Sequence, residues 1–236
     1  MSTLRRALLL VSAGLVIAVS AGCGGGGGGG REPSVEEIVR RTAERTAALE
    51  SFHFRFEIEN APAGKAGLNL TFADGDLVVP NQLRAKVAGT FSGIPLRSEL
   101  IFFRDQHYLK DPLTGRWRKL DAKTGPVAFF DPAKGVLSVI ESAVQLERTG
   151  SGRVGGDDTY RLRGFVRDGA VTPILNNKPR GRLVPLELWV GQDDFVIRRI
   201  RLKGPIAADE SEDIVRTVEV SQFDRPFTIE PPAGAE

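Results

Sequence analysis

From Ser51 to Glu59 the chain reads SFHFRFEIE. Phe52, Phe54, Phe56 and Ile58 fall on one side of an extended backbone and His53, Arg55, Glu57 and Glu59 on the other, because successive strand side chains point to opposite faces. The same period of two recurs in Leu68-Leu70-Phe72, Leu83-Ala85-Val87-Gly89-Phe91, Tyr160-Leu162-Gly164-Val166 and Val184-Leu186-Leu188-Val190. Arg84, Lys86, Thr90, Arg161, Arg163 and Glu187 take the alternate places. Turn signals at Asp74-Gly75, Thr114-Gly115, Gly155-Gly156-Asp157 and Gly191 to Asp194 separate the runs. Strands with one apolar face, one wet face and short connections predict an antiparallel sheet.

Two helical stretches interrupt the strands. Ser34 with Glu37 three residues later forms a capping box after Pro33, and Val35, Ile38, Thr42, Ala43, Thr46 and Leu49 follow a 3.6-residue stripe, so a helix is expected from there to about Ser51. Asp131-Pro132 supplies a second start, and Val136, Leu137, Ile140, Ala143 and Val144 form an apolar face to about Leu146. Two helices are few for so long a sheet. The pattern predicts an α+β fold, a single curved antiparallel sheet covered on one side by a few helices, whose interior composition alone leaves either filled or hollow. No later linker or internal repeat divides residues 34–236, so they are expected to form one domain.

The first 22 residues are of another kind. Arg5 and Arg6 precede an apolar stretch from Ala7 to Val19, and Ala21-Gly22 are the small residues a signal peptidase requires. As a helix, Ala7 to Gly22 would span roughly 24 Å against a hydrocarbon core of about 30 Å, so a secretion signal fits and a transmembrane span does not. The chain's single cysteine, Cys23, cannot close an intramolecular disulfide, and His53 and His107 are too far along the chain to complete a zinc site with it. Ser20-Ala21-Gly22-Cys23 resembles a bacterial lipobox, although Ser20 stands where Leu or Val is usual. The resemblance implies that Cys23 becomes the first mature residue and carries a diacylglycerol. The alternative is an ordinary cleaved signal with an idle thiol. The glycines from Gly24 to Gly30 then read as a tether, with an r.m.s. span of about 17 Å to Pro33. This divides the chain into signal (1–22), lipidated cysteine and tether (23–33) and folded domain (34–236). The formal charge of +2 resides in Arg5 and Arg6, so the mature chain is balanced and nothing in it calls for nucleic acid.

VEEIVRRTAERTAALES, FFDPAKGVLSVIESA, VPLELWVGQDDFVIRRIRL and VEVSQFDRPFTIEPP, in that order behind the lipobox, resemble the LppX/LprG-type lipoproteins of actinobacteria, which are similar in architecture to the LolA/LolB lipoprotein carriers. The resemblance implies a half-barrel whose concave face and overlying helices enclose a hydrophobic cavity for acylated lipid or glycolipid. It implies a monomeric lipoprotein, held by Cys23 on the extracytoplasmic face of the cell membrane, that moves such a lipid within the envelope and hands it to a transporter. Carried onto the inward positions, the lining would be Phe54, Phe56, Ile58, Leu70, Phe72, Val87, Phe91, Leu100, Phe102, Leu186 and Leu188, with Val136, Leu137 and Ile140 as a lid. Each of these is equally compatible with ordinary core packing. The segment Gly169 to Gly181, with Lys178, Arg180 and the adjacent Arg182, is either a rim for a headgroup or a solvated loop.

Other classes fit less well. G-x-S-x-G and H-E-x-x-H are absent, and Gly150 to Gly155 matches G-x-G-x-x-G only ahead of a strand, where a hairpin turn is expected. No catalytic, metal or cofactor residues are therefore assigned, and the chain reads as a non-enzyme. The alternative to a carrier is a surface-anchored interaction or sensor lipoprotein with a filled core, which could use Arg198, Arg199 and Arg201 as an exposed patch.

Overall fold

The structure, a computed structural model, describes residues 32–62, 68–120, 137–171, 181–207 and 210–235, and those after Glu32 belong to a folded unit from Pro33 to Glu236. Cys23, Val136, Lys178 and Arg180, and the side chain of Phe91, lie outside the described residues.

Helix α1 (Val35–Ala47) is capped by Ser34, whose hydroxyl accepts from the Glu37 N–H at 3.2 Å. The Glu37 carboxylate faces Arg41 at 2.9 Å. Ile38, Thr42 and Thr46 form the buried stripe. The helix ends before the expected Ser51, because Ser51 already pairs with Val78 as the first residue of a strand.

Eleven strands follow: β1 (Ser51–Glu59), β2 (Leu68–Val78), β3 (Gln82–Phe91), β4 (Ile94–Phe103), β5 (Gln106–Lys110), β6 (Trp117–Leu120), β7 (Ala143–Val154), β8 (Asp157–Arg167), β9 (Leu183–Gly191), β10 (Ile197–Lys203) and β11 (Val215–Ser221). They form one antiparallel sheet in the order β6-β5-β4-β3-β2-β1-β11-β10-β9-β8-β7. Two meanders thus meet at the β1–β11 pair, and residues 121–142 connect one edge of the sheet to the other. A short helix α2 (Leu137–Glu141) ends this connection. The expected continuation of this helix to Leu146 is overturned: Ala143 to Val154 are β7, paired with β8.

Laid flat, eleven strands would be about 48 Å wide. Yet Leu100 and Phe102 of one half, Leu162 and Leu188 of the other, Ile38 of α1 and Ile140 of α2 belong to a single buried cluster. The sheet is therefore curled into an open half-barrel with both helices on its inner side.

Glycines permit the curl. A Cβ at Gly75 would stand 2.1 Å from the Arg84 carbonyl oxygen, and one at Gly89 2.0 Å from that of Asn69. Asp74-Gly75 is accordingly not the expected turn. It lies in mid-strand, with Gly75 between Phe54 and Ala85. The turns at Thr114-Gly115, Gly155-Gly156 and Gly191 to Asp194 are observed. Gly150 to Val154, expected as turn, extend β7 as far as the Gly155-Gly156 hairpin.

Candidate functional site

The inner face is organised in rows across the strands. One row joins Phe56 to Ala73, Val87 and Ser98 on one side and to Val218, Ile200, Leu188 and Leu162 on the other. At one end of the strands, here the base, lie the tight β2–β3, β4–β5, β7–β8 and β9–β10 turns. At the other, the rim, lie the β1–β2, β3–β4, β5–β6, β8–β9 and β10–β11 connections.

The expected lining residues separate along this axis. Phe54, Val87, Leu100, Phe102, Ile140, Leu186 and Leu188 are all buried at 4% exposure or less, in mutual contact as core. Phe56, Ile58 and Leu70 are half-buried, as are Leu137 of α2 and Leu96, which shares the row of Leu70 through Gly89. The apolar inner face therefore continues from a sealed core into a partly accessible area on β1, β2 and β4 near the rim. In the C-terminal half the seal reaches the rim: Val184 and Val166 are buried, and the β7 backbone lies close over Gly164.

Phe72 is not on this face. The β2–β3 register shifts between Leu70 and Phe72, so that Ala73, Gly75 and Leu77 point inward and Phe72 points outward, beneath the Arg55 guanidinium at 5.0 Å. There it borders an open groove of about 710 Å³, lined with Lys86, Ala88, Arg97, Glu99 and Lys110. Lys110 donates to Glu99 at 2.8 Å and holds its carboxyl below the usual range. The proposed arginine patch is also corrected. Arg198 is buried, bonded to Asp157 at 2.6 Å and Asp194 at 2.7 Å, while Arg199 pairs with Glu219 and Arg201 with Glu187.

Among the buried polar side chains are an Arg216–Glu210 pair and His107. Arg216 is cross-strand from Ile58 and meets Glu210 at 2.5 Å, the two side chains being 6% and 5% exposed. Burial disfavours the Glu210 carboxylate, but N–H donors from Ala207 and Ile206 and the Arg216 charge outweigh it and lower its pKa. Arg216 also donates to the Gly204 carbonyl at 3.3 Å, and its Nε has no partner. His107, on β5, is buried edge-on to Phe102, its Nδ1 unpartnered, and burial lowers its pKa. Sequence reading passed over Arg216 and weighed His107 as a possible zinc ligand. The Arg216-Val218-Val220 alternation, which puts Arg216 on the apolar side of β11, was the available signal. Leu96 was likewise legible in the alternation of Leu96, Leu100 and Phe102. Of the candidate rim, Arg182 is exposed, and Asp168 accepts the Gly181 N–H at 3.1 Å. Among the described residues no group of three or more His, Cys, Asp or Glu could hold a metal ion.

An open half-barrel with one apolar inner face is the class of fold that this arrangement defines. The chain belongs to the LppX_LprAFG lipoprotein family, whose family model matches residues 34–229. It is 27% identical over 198 residues to the lipoarabinomannan carrier protein LprG of Mycobacterium tuberculosis, covering 79% of this chain and 80% of that one. LprG of Mycobacterium bovis matches to the same extent. The fold is that of LprF from Mycobacterium bovis, with a TM-score of 0.71 at 18% identity over 84% of this chain and 97% of the other. LppX from Mycobacterium tuberculosis gives 0.58 at 18% identity, over 84% and 100% of the two chains.

Proposed function

We propose that this chain is a membrane-anchored lipid carrier that receives the acyl chains of a lipid or glycolipid against the inner face of its half-barrel. The observation that carries the reading is the half-buried apolar area of Phe56, Ile58, Leu70 and Leu96 near the rim, of which Phe56 and Leu70 pack against the core. A sixteen-carbon chain exposed to water costs on the order of 12 kcal/mol at ~0.8 per CH₂, so a multi-acyl lipid needs such a surface to leave a bilayer at a useful rate. Family membership and the likeness to a lipoarabinomannan carrier support the same reading. The diacylglyceryl group on Cys23 would hold the domain on the extracytoplasmic face of the membrane, since several acyl chains make a stable anchor and one alone does not.

The test is chemical. The protein, purified from a lipid-rich actinobacterial host in the Cys23→Ala form, is extracted with organic solvent and the extract weighed and identified by mass spectrometry. The carrier reading expects multi-acyl lipid in near-stoichiometric amount. The sealed C-terminal half of the inner face favours a second reading, a surface interaction lipoprotein without cargo, and lipid-free folded protein would decide for it.

A further inference from the structure

Three large apolar side chains of the described residues are exposed: Ile94 at 70%, Leu113 at 94% and Leu183 at 45%. Ile94 opens β4 at the β3–β4 hairpin, Leu113 lies in the β5–β6 hairpin and Leu183 opens β9 after the β8–β9 connection. The strand directions place all three at the rim. The base, with its four tight turns, carries none. Scattered exposed leucines are ordinary, but a whole set gathered at one end of a sheet marks a contact surface.

Charge and connectivity indicate what it contacts. Arg97 and Arg182 are exposed beside Ile94 and Leu183, and neither has a carboxylate partner among the described residues. The exposed carboxylates of this end lie on other elements: Glu36 on α1, Glu59 on the central β1, Glu141 at the end of α2, and Glu212 and Asp213 in the β10–β11 connection. The strands that carry the apolar side chains thus offer cations, a pattern suited to an anionic, partly apolar surface. Arg45 of α1 donates to the Asp194 carbonyl and Arg41 stacks on Phe195, which fixes the C-terminal half of the helix at the base. Pro33 therefore leaves the fold from the helix end farther from the base. Nine residues separate it from Cys23, so the ten chain steps between them reach at most about 35 Å.

We infer that the rim is a bilayer-docking surface: Ile94, Leu113 and Leu183 enter the headgroup region of an anionic membrane, with Arg97 and Arg182 at its phosphates. This rests on the carrier reading for its purpose and on Cys23 lipidation for its tether, but its geometry stands on the exposed side chains alone. Docked in this way, the accessible inner-face area of Phe56, Ile58, Leu70 and Leu96 faces the lipid.

The experiment uses the full lipidated chain on vesicles of phosphatidylcholine with a minor fraction of phosphatidylglycerol. Leu113→Cys, Leu183→Cys and, at the base, Asp193→Cys are each labelled with an environment-sensitive fluorophore. An acylated Cys23 thioether does not react, so a second label at that position would report failure of the anchor rather than of the docking. Docking expects a blue shift and quenching by acyl-chain nitroxides at 113 and 183, weakened in pure phosphatidylcholine, and a water-exposed signal at 193. Signals at 113 and 183 as wet as that at 193 overturn it. So does a shift that follows protein concentration and ignores lipid, which would give the rim to a second copy of the chain.

Discussion

An arginine placed among valines and leucines is tolerable only with its charge answered, and Glu210 answers Arg216. Glu210→Gln would strand the guanidinium in the interior, so a loss of about 3–5 kcal/mol is expected in urea denaturation at neutral pH. Because the folded-state pKa of Glu210 is lowered, its contribution is complete above the ordinary carboxylate value and fades as the pH falls through the folded one. The acid limb of the stability curve should therefore be shallower in Glu210→Gln than in the parent. His107 acts in the same sense, in a higher pH window. Its lowered pKa means that, below about pH 6.5, the unfolded chain takes up a proton that the folded one resists, and stability falls with pH. His107→Leu should flatten that decline between neutral and mildly acid pH, measured as the shift in denaturation midpoint. An unaltered decline would place the responsible proton elsewhere.

At the scale of elements, close backbone approach decides what the strands can be made of. Gly75→Ala and Gly89→Ala each push a methyl into a neighbouring strand's backbone and are expected to cost on the order of 1–3 kcal/mol. Gly152→Ala, whose Cβ would meet only Trp189 and Thr159 at ordinary distances from 3.6 Å outward, should be close to neutral. Equal effects at all three would mean that chain entropy and not curvature sets the price. The same geometry explains what could be read from sequence. Strict alternation identified the inward residues of β1, β3, β8 and β9, since one buried face imposes a period of two. It failed at Phe72 because a register shift beside Thr71 reverses the facing of the strand, and nothing in LNLTFADG announces it. It failed at Asp74-Gly75 because the glycine serves a neighbouring strand and not a turn. Ala143 to Leu146 carry helical spacing, but β8 offers a ladder of hydrogen bonds, and tertiary pairing overrides the local pattern.

For the whole molecule, the inner face has two regimes and mutations should tell them apart. Where both sheet halves and the helices close on each other, a side chain stabilises the fold: Leu188→Ala should cost about 2–5 kcal/mol, because the buried site cannot collapse fully around the missing atoms. Where the face is half-accessible, a side chain can serve a ligand. Leu70→Asp puts a carboxylate that can still reach water onto the surface proposed for acyl chains, so the denaturation midpoint should move little while co-purifying lipid falls sharply. The measurement is lipid per folded protein, by mass spectrometry of the extract, beside a denaturation curve for each variant. If Leu188→Ala were instead to empty the protein of lipid and Leu70→Asp to keep it, the acyl chains would have to lie in the half that is sealed here. Binding would then require the helices to part from the sheet, and the cost of that parting, rather than the open area near the rim, would govern affinity.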